Sequence, residues 1–139
     1  MMSGTIEIVA ALIRDPAGRV LLVRKRGTTA FMQPGGKRDS GEDDVTALAR
    51  EIDEELGCRL VPDSIQRLGE FDAVSANEPG FRVRASLYEI DVTGHIAPQA
   101  EIEAMVWVDP AAPADLPLAP LTRDHVLPLA SQRRAAGAV

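Results

Sequence analysis

Alternating apolar and polar stretches divide the chain into short strand-like and helix-like segments. Two segments rich in Ile, Val and Leu, Thr5–Arg14 and Arg19–Lys25, flank the turn-forming residues Pro16–Gly18 and predict a β-hairpin. Strand character returns in three later segments, which are Ile65–Ala73, Phe81–Val92 and Glu103–Val108. The first two of these lie on either side of the turn-like residues 77–80. The chain therefore predicts at least five strands.

The segment Asp43–Leu56 has helical rather than strand periodicity. Asp43 or Asp44 can cap its start, and Gly57 follows its last turn, where glycine commonly ends a helix. On a helical wheel the apolar side chains form one stripe, and the glutamates fall on a flank outside it. The predicted stripe consists of Val45, Leu48, Ala49, Ile52 and Leu56, and the flanking acids are Glu51, Glu54 and Glu55.

The C-terminal part of the chain predicts an irregular segment followed by a second helix. Four prolines lie between Asp109 and Pro120, which excludes regular structure there. Thr122 is expected to cap the last helix, and Pro128 to interrupt or kink it. The order β-β-α-β-β-β-α over 139 residues predicts one α/β domain covering residues 1–139.

Composition excludes several classes of protein. The longest aliphatic run, Ile8–Ile13, is far shorter than the roughly 20 residues of a membrane span, so no membrane association is expected. The N-terminal residues do not resemble a secretory signal. The single cysteine, Cys58, cannot form an internal disulfide, and we expect a cytoplasmic protein. The net charge of −6 argues against binding nucleic acid.

The negative charge is concentrated around the predicted helix. Residues 36–58 contain eight acidic and three basic side chains, whereas the rest of the chain is nearly neutral. Glu51 is three and four residues from Glu54 and Glu55, so their Cβ atoms lie about 5–6 Å apart on a helix. Carboxylates this close repel unless a cation compensates, and Mg²⁺ prefers such oxygen ligands. The spacing alone leaves two interpretations open, a metal site and a solvated helix face.

The sequence GGKRDSGEDDVTALAREIDEELGC resembles the Nudix box, G-x5-E-x7-R-E-U-x-E-E-x-G-U, where U is aliphatic. All fixed positions are matched in register, and the one departure is Cys58 at the last aliphatic position. The fixed positions are Gly36, Glu42, Arg50, Glu51, Glu54, Glu55 and Gly57. The chain is thereby identified as similar to the MutT-like Nudix hydrolases, whose fold is an α/β/α sandwich around a mixed β-sheet.

The resemblance implies a metal-dependent hydrolase that cleaves the pyrophosphate bond of a nucleoside diphosphate linked to another group. Glu51, Glu54 and Glu55 would hold Mg²⁺ or Mn²⁺, with the Gly35 carbonyl as a further ligand. One of these glutamates, often the one at the position of Glu51, would also help to deprotonate the attacking water. The remaining implied roles are structural: Arg50 and Glu42 would orient the carboxylates through an ion pair, and Gly36 and Gly57 belong to the motif.

For residues outside the box, more than one role is left open. A further catalytic glutamate is expected before a late strand, and Glu101 is the first choice and Glu103 the second. The basic residues at the end of the second predicted strand, positions 24–26, would either meet phosphates or face solvent. The aromatic candidates for stacking on a base are Trp107, Phe71, Phe81 and Tyr88, although core packing is the favoured interpretation of most of them.

The expected partner is a small-molecule nucleotide, and family members are often homodimers. Candidate substrates are nucleoside triphosphates, ADP-ribose, nucleoside diphosphate sugars and dinucleoside polyphosphates. The alternative function is a non-catalytic Nudix-fold module that binds a nucleotide as a sensor. Such modules usually lack box glutamates, and all are present here. Isomerase chemistry on the same fold would need a cysteine outside the box, whereas Cys58 lies inside it.

Overall fold

The computed structural model describes residues 3–137, with side chains described as far as residue 133. Within these residues, eight strands and two α-helices follow one another. They are β1 (Gly4–Ile13), β2 (Val20–Lys25), β3 (Gly35–Gly36), α1 (Asp44–Leu56), β4 (Arg59–Leu60), β5 (Gln66–Val74), β6 (Phe81–Ile90), β7 (Val92–Thr93), β8 (Ile102–Val108) and α2 (Leu127–Gly137). A 3₁₀ turn (Pro62–Ser64) and a turn of π-helix (Thr122–Val126) complete the set. Among the described residues, no helix is long and apolar enough to cross a membrane.

The central sheet is mixed, as expected. Its strand order is β3-β1-β6-β5, in which β1 pairs in parallel with β6 and both outer pairings are antiparallel. Strands β2 and β8 form a separate antiparallel pair, and β4 and β7 form another. The pairing of β5 with β6 confirms the two strands predicted around residues 77–80.

The predicted hairpin between the first two strands is wrong. Asp15 does form the expected tight turn, because its carboxylate accepts the amide N–H groups of Ala17 and Arg19. Beyond a single bridge between Arg14 and Val20, however, β1 and β2 separate and pair with different strands. The inner half of each strand is buried on both faces, which is the pattern of strands covered by helices and not of a half-exposed hairpin.

Helix α1 begins and ends within one residue of the prediction. The Asp43 carboxylate accepts the Thr46 amide N–H at 2.8 Å, which satisfies one of the free donors of the first turn. Gly57 adopts the left-handed conformation (φ 67°), and its N–H bonds to the Asp53 carbonyl. The carboxyl cap and the terminal glycine predicted from the sequence are therefore both present.

The helices cover opposite faces of the strands. Side chains of β1 alternate between two apolar clusters, since successive residues of a strand point to opposite faces. Val9 and Ala11 belong to the cluster that contains Leu48 of α1, whereas Ala10 belongs to the cluster that contains Leu127 of α2. The α/β fold class and the α/β/α sandwich are thus confirmed.

The predicted capping role of Thr122 is wrong. Leu121 already has helical dihedral angles, and Thr122 lies inside the helical segment, in the turn of π-helix. Within this turn the Leu127 N–H bonds to the Thr122 carbonyl, just before Pro128, which has no N–H to donate. The helix irregularity that the sequence predicted at Pro128 is therefore the turn of π-helix, which lies on the N-terminal side of this proline. The Thr122 hydroxyl, freed from capping, donates a hydrogen bond to Gln33.

Candidate active site

A cleft of about 400 Å³ brings α1, β1 and β3 together with the loop after β5 and the segment 119–122. Its lining divides into two groups by chemistry. Ionisable side chains include Glu51, Glu55, Lys25, Lys37 and Glu101. Aliphatic side chains include Ile6, Ile8, Val23, Val83 and Leu121. A ligand with a charged part and a less polar part fits this lining.

Glu51 reaches the cleft across the backbone of Gly36. A Cβ placed on Gly36 would lie 2.6 Å from Glu51 Oε2, which is closer than real Cβ atoms approach an oxygen. The glycine therefore leaves the space that the carboxylate occupies. A glycine at this position, which the resemblance predicts to be structural, thus makes room for the Glu51 carboxylate.

Gly35 is required by the close pairing of β3 with β1. Its φ is +147°, and a Cβ would come within 2.1 Å of the Val9 carbonyl oxygen. Its amide N–H donates to Glu55 Oε1 at 3.2 Å. The residue expected to bind metal through its carbonyl thus also contacts one of the predicted carboxylate ligands.

Glu55 is a buried carboxylate with an unpartnered oxygen. The residue is 2% exposed, and Oε2 has no hydrogen-bond partner among the described residues. Burial, and to a smaller extent the nearby charge of Glu51, raise the pKa of this carboxyl to about 8, against the lowering effect of the Gly35 N–H. A buried, unpaired carboxylate is unfavourable unless a proton or a cation neutralises it.

Arg50 holds the acidic residues around the helix in place. Its Nε and Nη2 donate to the two carboxylate oxygens of Glu42, each at 2.8 Å, and its Nη1 lies 2.5 Å from Glu51 Oε1. Nη2 also donates to the Lys37 carbonyl. The hydrogen bonds from Arg50, together with the Asp39 N–H, lower the pKa of Glu42 to about 2. The ion pair expected between Arg50 and Glu42 is present in this geometry.

The helical wheel misplaced the buried face of α1. Glu51 and Glu55 are buried with Leu48 and Ile52, whereas Val45 is exposed. The prediction placed the glutamates on a flank outside the buried stripe, but the buried face of the helix includes the two carboxylates that line the cleft. A helical wheel that identifies the buried face from apolar residues alone cannot detect buried carboxylates.

Glu54 lies apart from the other two glutamates. Its side chain is 54% exposed, it is not among the described residues that line the cleft, and its carboxylate is 3.4 Å from Arg50. Within the part of the chain that the structure describes, no three acidic, histidine or cysteine side chains converge as a ready-made metal site. The structure brings Glu51 and Glu55 together and leaves Glu54 paired with Arg50.

The donor set nevertheless fits a hard divalent cation. Glu51 and Glu55 offer carboxylate oxygens, and one of these oxygens is buried without a partner. Mg²⁺ is usually bound by one or two carboxylates together with water and substrate phosphates, so it does not need three converging side chains.

The two candidate late glutamates face different surroundings. Glu101 lines the cleft, and its carboxylate lies 3.5 Å from Lys25 Nζ. Glu103 pairs with Arg24 at 2.8 Å. Residues two apart in a regular strand share a face, but here the β2–β8 register shifts between Arg24 and Lys25. The register shift separates the two glutamates.

Several residues of the cleft carried no signal in the sequence, and core packing, the favoured interpretation of most of the aromatic residues, is what the structure shows for three of the four. Gln33 and Thr122 are buried in the lining, and no spacing rule marked either of them as a site residue. Of the described lining residues none is aromatic. Trp107, Phe71 and Tyr88 pack in or against the apolar clusters instead.

The protein is an α/β/α sandwich in which one helix places two buried carboxylates at a cleft of about 400 Å³. Residues 5–130 match the family model described as NUDIX domain. The chain belongs to this family, which confirms the resemblance seen in the box sequence.

Three similar proteins show how far the likeness extends. A MutT NUDIX hydrolase from Burkholderia pseudomallei is 26% identical, with a TM-score of 0.72 over 92% of this chain and 96% of that chain. The 8-oxo-dGTP diphosphatase of Haemophilus influenzae is 39% identical over 56 residues, which are 37% of this chain. The octanoyltransferase of Myxococcus xanthus is 35% identical over 123 residues, which are 81% of this chain. The chain spans 41% and 33% of the lengths of the last two proteins.

Proposed function

We propose that the protein is a metal-dependent hydrolase that cleaves the pyrophosphate bond of a nucleoside diphosphate linked to another group. The observation that carries the proposal is the buried pair Glu51 and Glu55 at the cleft, with one Glu55 oxygen unpartnered. Pyrophosphate-bond hydrolysis is the chemistry that membership of the family supports in general. Nudix hydrolases generally use divalent metals, and the oxygen donors here suit Mg²⁺ or Mn²⁺.

The proposed ligands are Glu51, Glu54, Glu55 and the Gly35 carbonyl. Glu54 would have to turn from Arg50 toward the cleft to take part. A bound divalent cation would neutralise part of the pyrophosphate charge and acidify water. Glu51 and Glu55 preform the site because they stand on a capped helix against the rigid β3 backbone.

Residues of the cleft and of α1 have distinct roles in the proposed reaction. Water adds to a phosphorus atom, the bridging oxygen leaves with the electron pair of the broken P–O bond, and Glu51 accepts the proton of the water. Arg50 restricts the Glu51 carboxylate to one orientation through its contact at 2.5 Å. Lys25 and Lys37, which line the cleft, would meet the phosphate oxygens. Glu101 would assist after its ion pair with Lys25 opens.

Hydrolysis is preferred to binding alone because the cleft retains the groups that the reaction needs. A module that only bound a nucleotide would gain nothing from placing Glu51 and Glu55 side by side, since two carboxylates repel an anion. The size of the cleft, about 400 Å³, and the net charge of −6 favour a small molecule over nucleic acid. A homodimer and a cytoplasmic location remain proposals from the resemblance and from the single buried Cys58.

A substrate panel tests the proposal. The purified protein is incubated with Mg²⁺ or Mn²⁺ and with nucleoside triphosphates, 8-oxo-dGTP, ADP-ribose, nucleoside diphosphate sugars and dinucleoside polyphosphates. Products are identified as mononucleotide, pyrophosphate or phosphate by chromatography. At least one substrate should be turned over in a metal-dependent way, and Glu55→Gln should remove at least about 99% of that turnover. No metal-dependent turnover of any member would reject the function.

A further inference from the structure

Gln33 is a buried amide in the lining of the cleft. It is 6% exposed, and its Oε1 accepts a hydrogen bond of 3.0 Å from the hydroxyl of Thr122, which is 0% exposed. Its Nε2 is buried and has no partner among the described residues. One half of the amide is thus bound by the protein, and the other half is a free donor.

The backbone on both sides of Gln33 is fixed. Met32 exchanges two backbone hydrogen bonds of 2.8 Å with Val23, and the Pro34 carbonyl accepts the Ala11 N–H at 2.9 Å. The amide therefore stands on a rigid segment and is oriented by Thr122. Such an arrangement fixes the position of the unpartnered Nε2 within the lining of the cleft, so that a ligand hydrogen bond would need little further ordering of the protein.

No described residue accepts a hydrogen bond from the amide. Val23, Met32, Ala119 and Leu121, which line the same cleft, have apolar side chains without a strong acceptor. An unpartnered buried donor is unfavourable, and a methionine or leucine would fill the same space without that cost. A donor kept in such a place is accounted for by a ligand that accepts its hydrogen bond.

We propose that Gln33 Nε2 donates to the carbonyl oxygen O6 of guanine or O4 of uracil or thymine in the substrate's nucleobase, and that the enzyme consequently prefers guanine and uracil or thymine nucleotides to adenine and cytosine nucleotides. The inference rests on the proposed function. Gln33 is two residues from Gly35, a span of about 7 Å in extended backbone, so one ligand can reach both the amide and the carboxylates. Adenine and cytosine carry an amino group where guanine and uracil carry this carbonyl. Their amino group would face the Gln33 Nε2 donor, and no hydrogen bond could form between two donors.

The test measures base discrimination in matched pairs. Values of kcat/KM are compared for GTP against ATP and for UTP against CTP, in wild type, Gln33→Met and Thr122→Val. Wild type should prefer the carbonyl-bearing base of each pair by at least about tenfold. Gln33→Met should reduce both ratios to within about threefold, and Thr122→Val should reduce them partly because the amide loses its orienting bond. Gln132→Met, on the exposed face of α2, is the matched control and should keep the wild-type ratios.

Binding measurements separate the failure of this inference from the failure of the proposed function. Isothermal titration calorimetry with GDP, ADP, UDP and CDP reports the same ratios without turnover. If wild type hydrolyses nothing but binds GDP over ADP through Gln33, the function is rejected and the inference holds. Equal affinities or rates for the paired bases in wild type, a reversed preference, or unchanged ratios in Gln33→Met would each overturn the inference. The double variant Gln33→Met/Thr122→Val removes both polar partners, so it should melt at or above wild type while lacking discrimination.

Discussion

The Glu51 carboxylate lies against the α-carbon of Gly36, in space that any other residue's Cβ would fill. A Cβ at Gly36 would be 2.6 Å from Oε2, and the same carboxylate is held from the other side by Arg50. Because the obstructed atom is the end of a flexible side chain, a substitution at Gly36 can be accommodated by moving Glu51 and leaving the backbone in place.

Replacing Gly36 with alanine should therefore damage the site without unfolding the protein. We expect Gly36→Ala to lower kcat/KM by about 100-fold, since a displacement of about 1 Å at a reacting group can have that effect. The melting temperature should change by only a few degrees. Gly4→Ala is the control, because a Cβ there meets only Phe81 at an ordinary 3.5 Å. Full activity in Gly36→Ala would show that the position of Glu51 does not matter.

Arg50 should not be replaceable by lysine. Lysine keeps the charge but cannot make two parallel hydrogen bonds to Glu42 while also contacting Glu51. We expect Arg50→Lys to reduce metal affinity or activity by about 10- to 100-fold, which is typical for residues that orient metal ligands. Steady-state kinetics over a Mg²⁺ titration measure both effects. Arg82→Lys, in an exposed pair with Asp72, should stay within about twofold of wild type, and an equal loss in the two variants would contradict the role of Arg50.

Local signals in the sequence predicted the two ends of α1 well, because capping interactions act within a single turn. Asp43 and Gly57 satisfy backbone groups within their own turns, so the helix ends follow from neighbouring residues. The i,i+4 spacing of Arg50 and Glu54 on one helix likewise brings their side chains within reach of each other wherever the helix lies.

Long-range pairing was predicted less well, since it depends on what covers each strand. Strands β1 and β2 could have formed a hairpin by their turn, but burial on both faces drives each to other partners. The bond between Gln33 and Thr122 joins residues 89 positions apart, and nothing in either local sequence indicates it. The burial of Glu51 and Glu55 on one face of α1 could likewise not be predicted locally, because it depends on the cleft that distant segments form around them.

The metal-free protein should lose stability as the pH rises from about 4.5 to about 8. Burial raises the pKa of Glu55 from 4.5 to about 8 in the folded state, so over this range the folded chain holds a proton that the unfolded chain has released. The free energy of unfolding then falls with pH, by at most about 1.4 kcal/mol per pH unit from this group. Below pH 4.5 both states are protonated, and the contribution is constant.

Denaturant unfolding in EDTA at pH 5, 6.5 and 8 measures this slope. Glu55→Gln should flatten it and make the variant more stable than wild type at pH 8. Glu70→Gln, at an exposed position of β5, should leave the slope unchanged. A wild-type slope that persists in Glu55→Gln would assign the pH dependence to other groups.

A divalent cation should stabilise the folded protein. The cation neutralises repulsion between carboxylates in the folded state only, so stability rises with its concentration by mass action. Wild type should melt several degrees higher in millimolar Mg²⁺ or Mn²⁺ than in EDTA, and a Glu51/Glu54/Glu55 triple glutamine variant should not respond. Equal shifts in the two proteins would indicate a general salt effect and refute specific binding.

Glu101 should contribute to turnover and Glu103 should not. Glu101 lines the cleft beside Lys25, whereas Glu103 is held by Arg24 across the register shift of β8. Because Glu101 is paired with Lys25 and not preformed on α1, we expect Glu101→Gln to lower kcat by about tenfold or more with metal affinity nearly unchanged. Glu103→Gln should stay within about twofold of wild type. Steady-state kinetics with a Mg²⁺ titration on both variants distinguish the roles. If both variants are unimpaired, the carboxylates of α1 act without a late glutamate, and a larger loss in Glu103→Gln would exchange the two assignments.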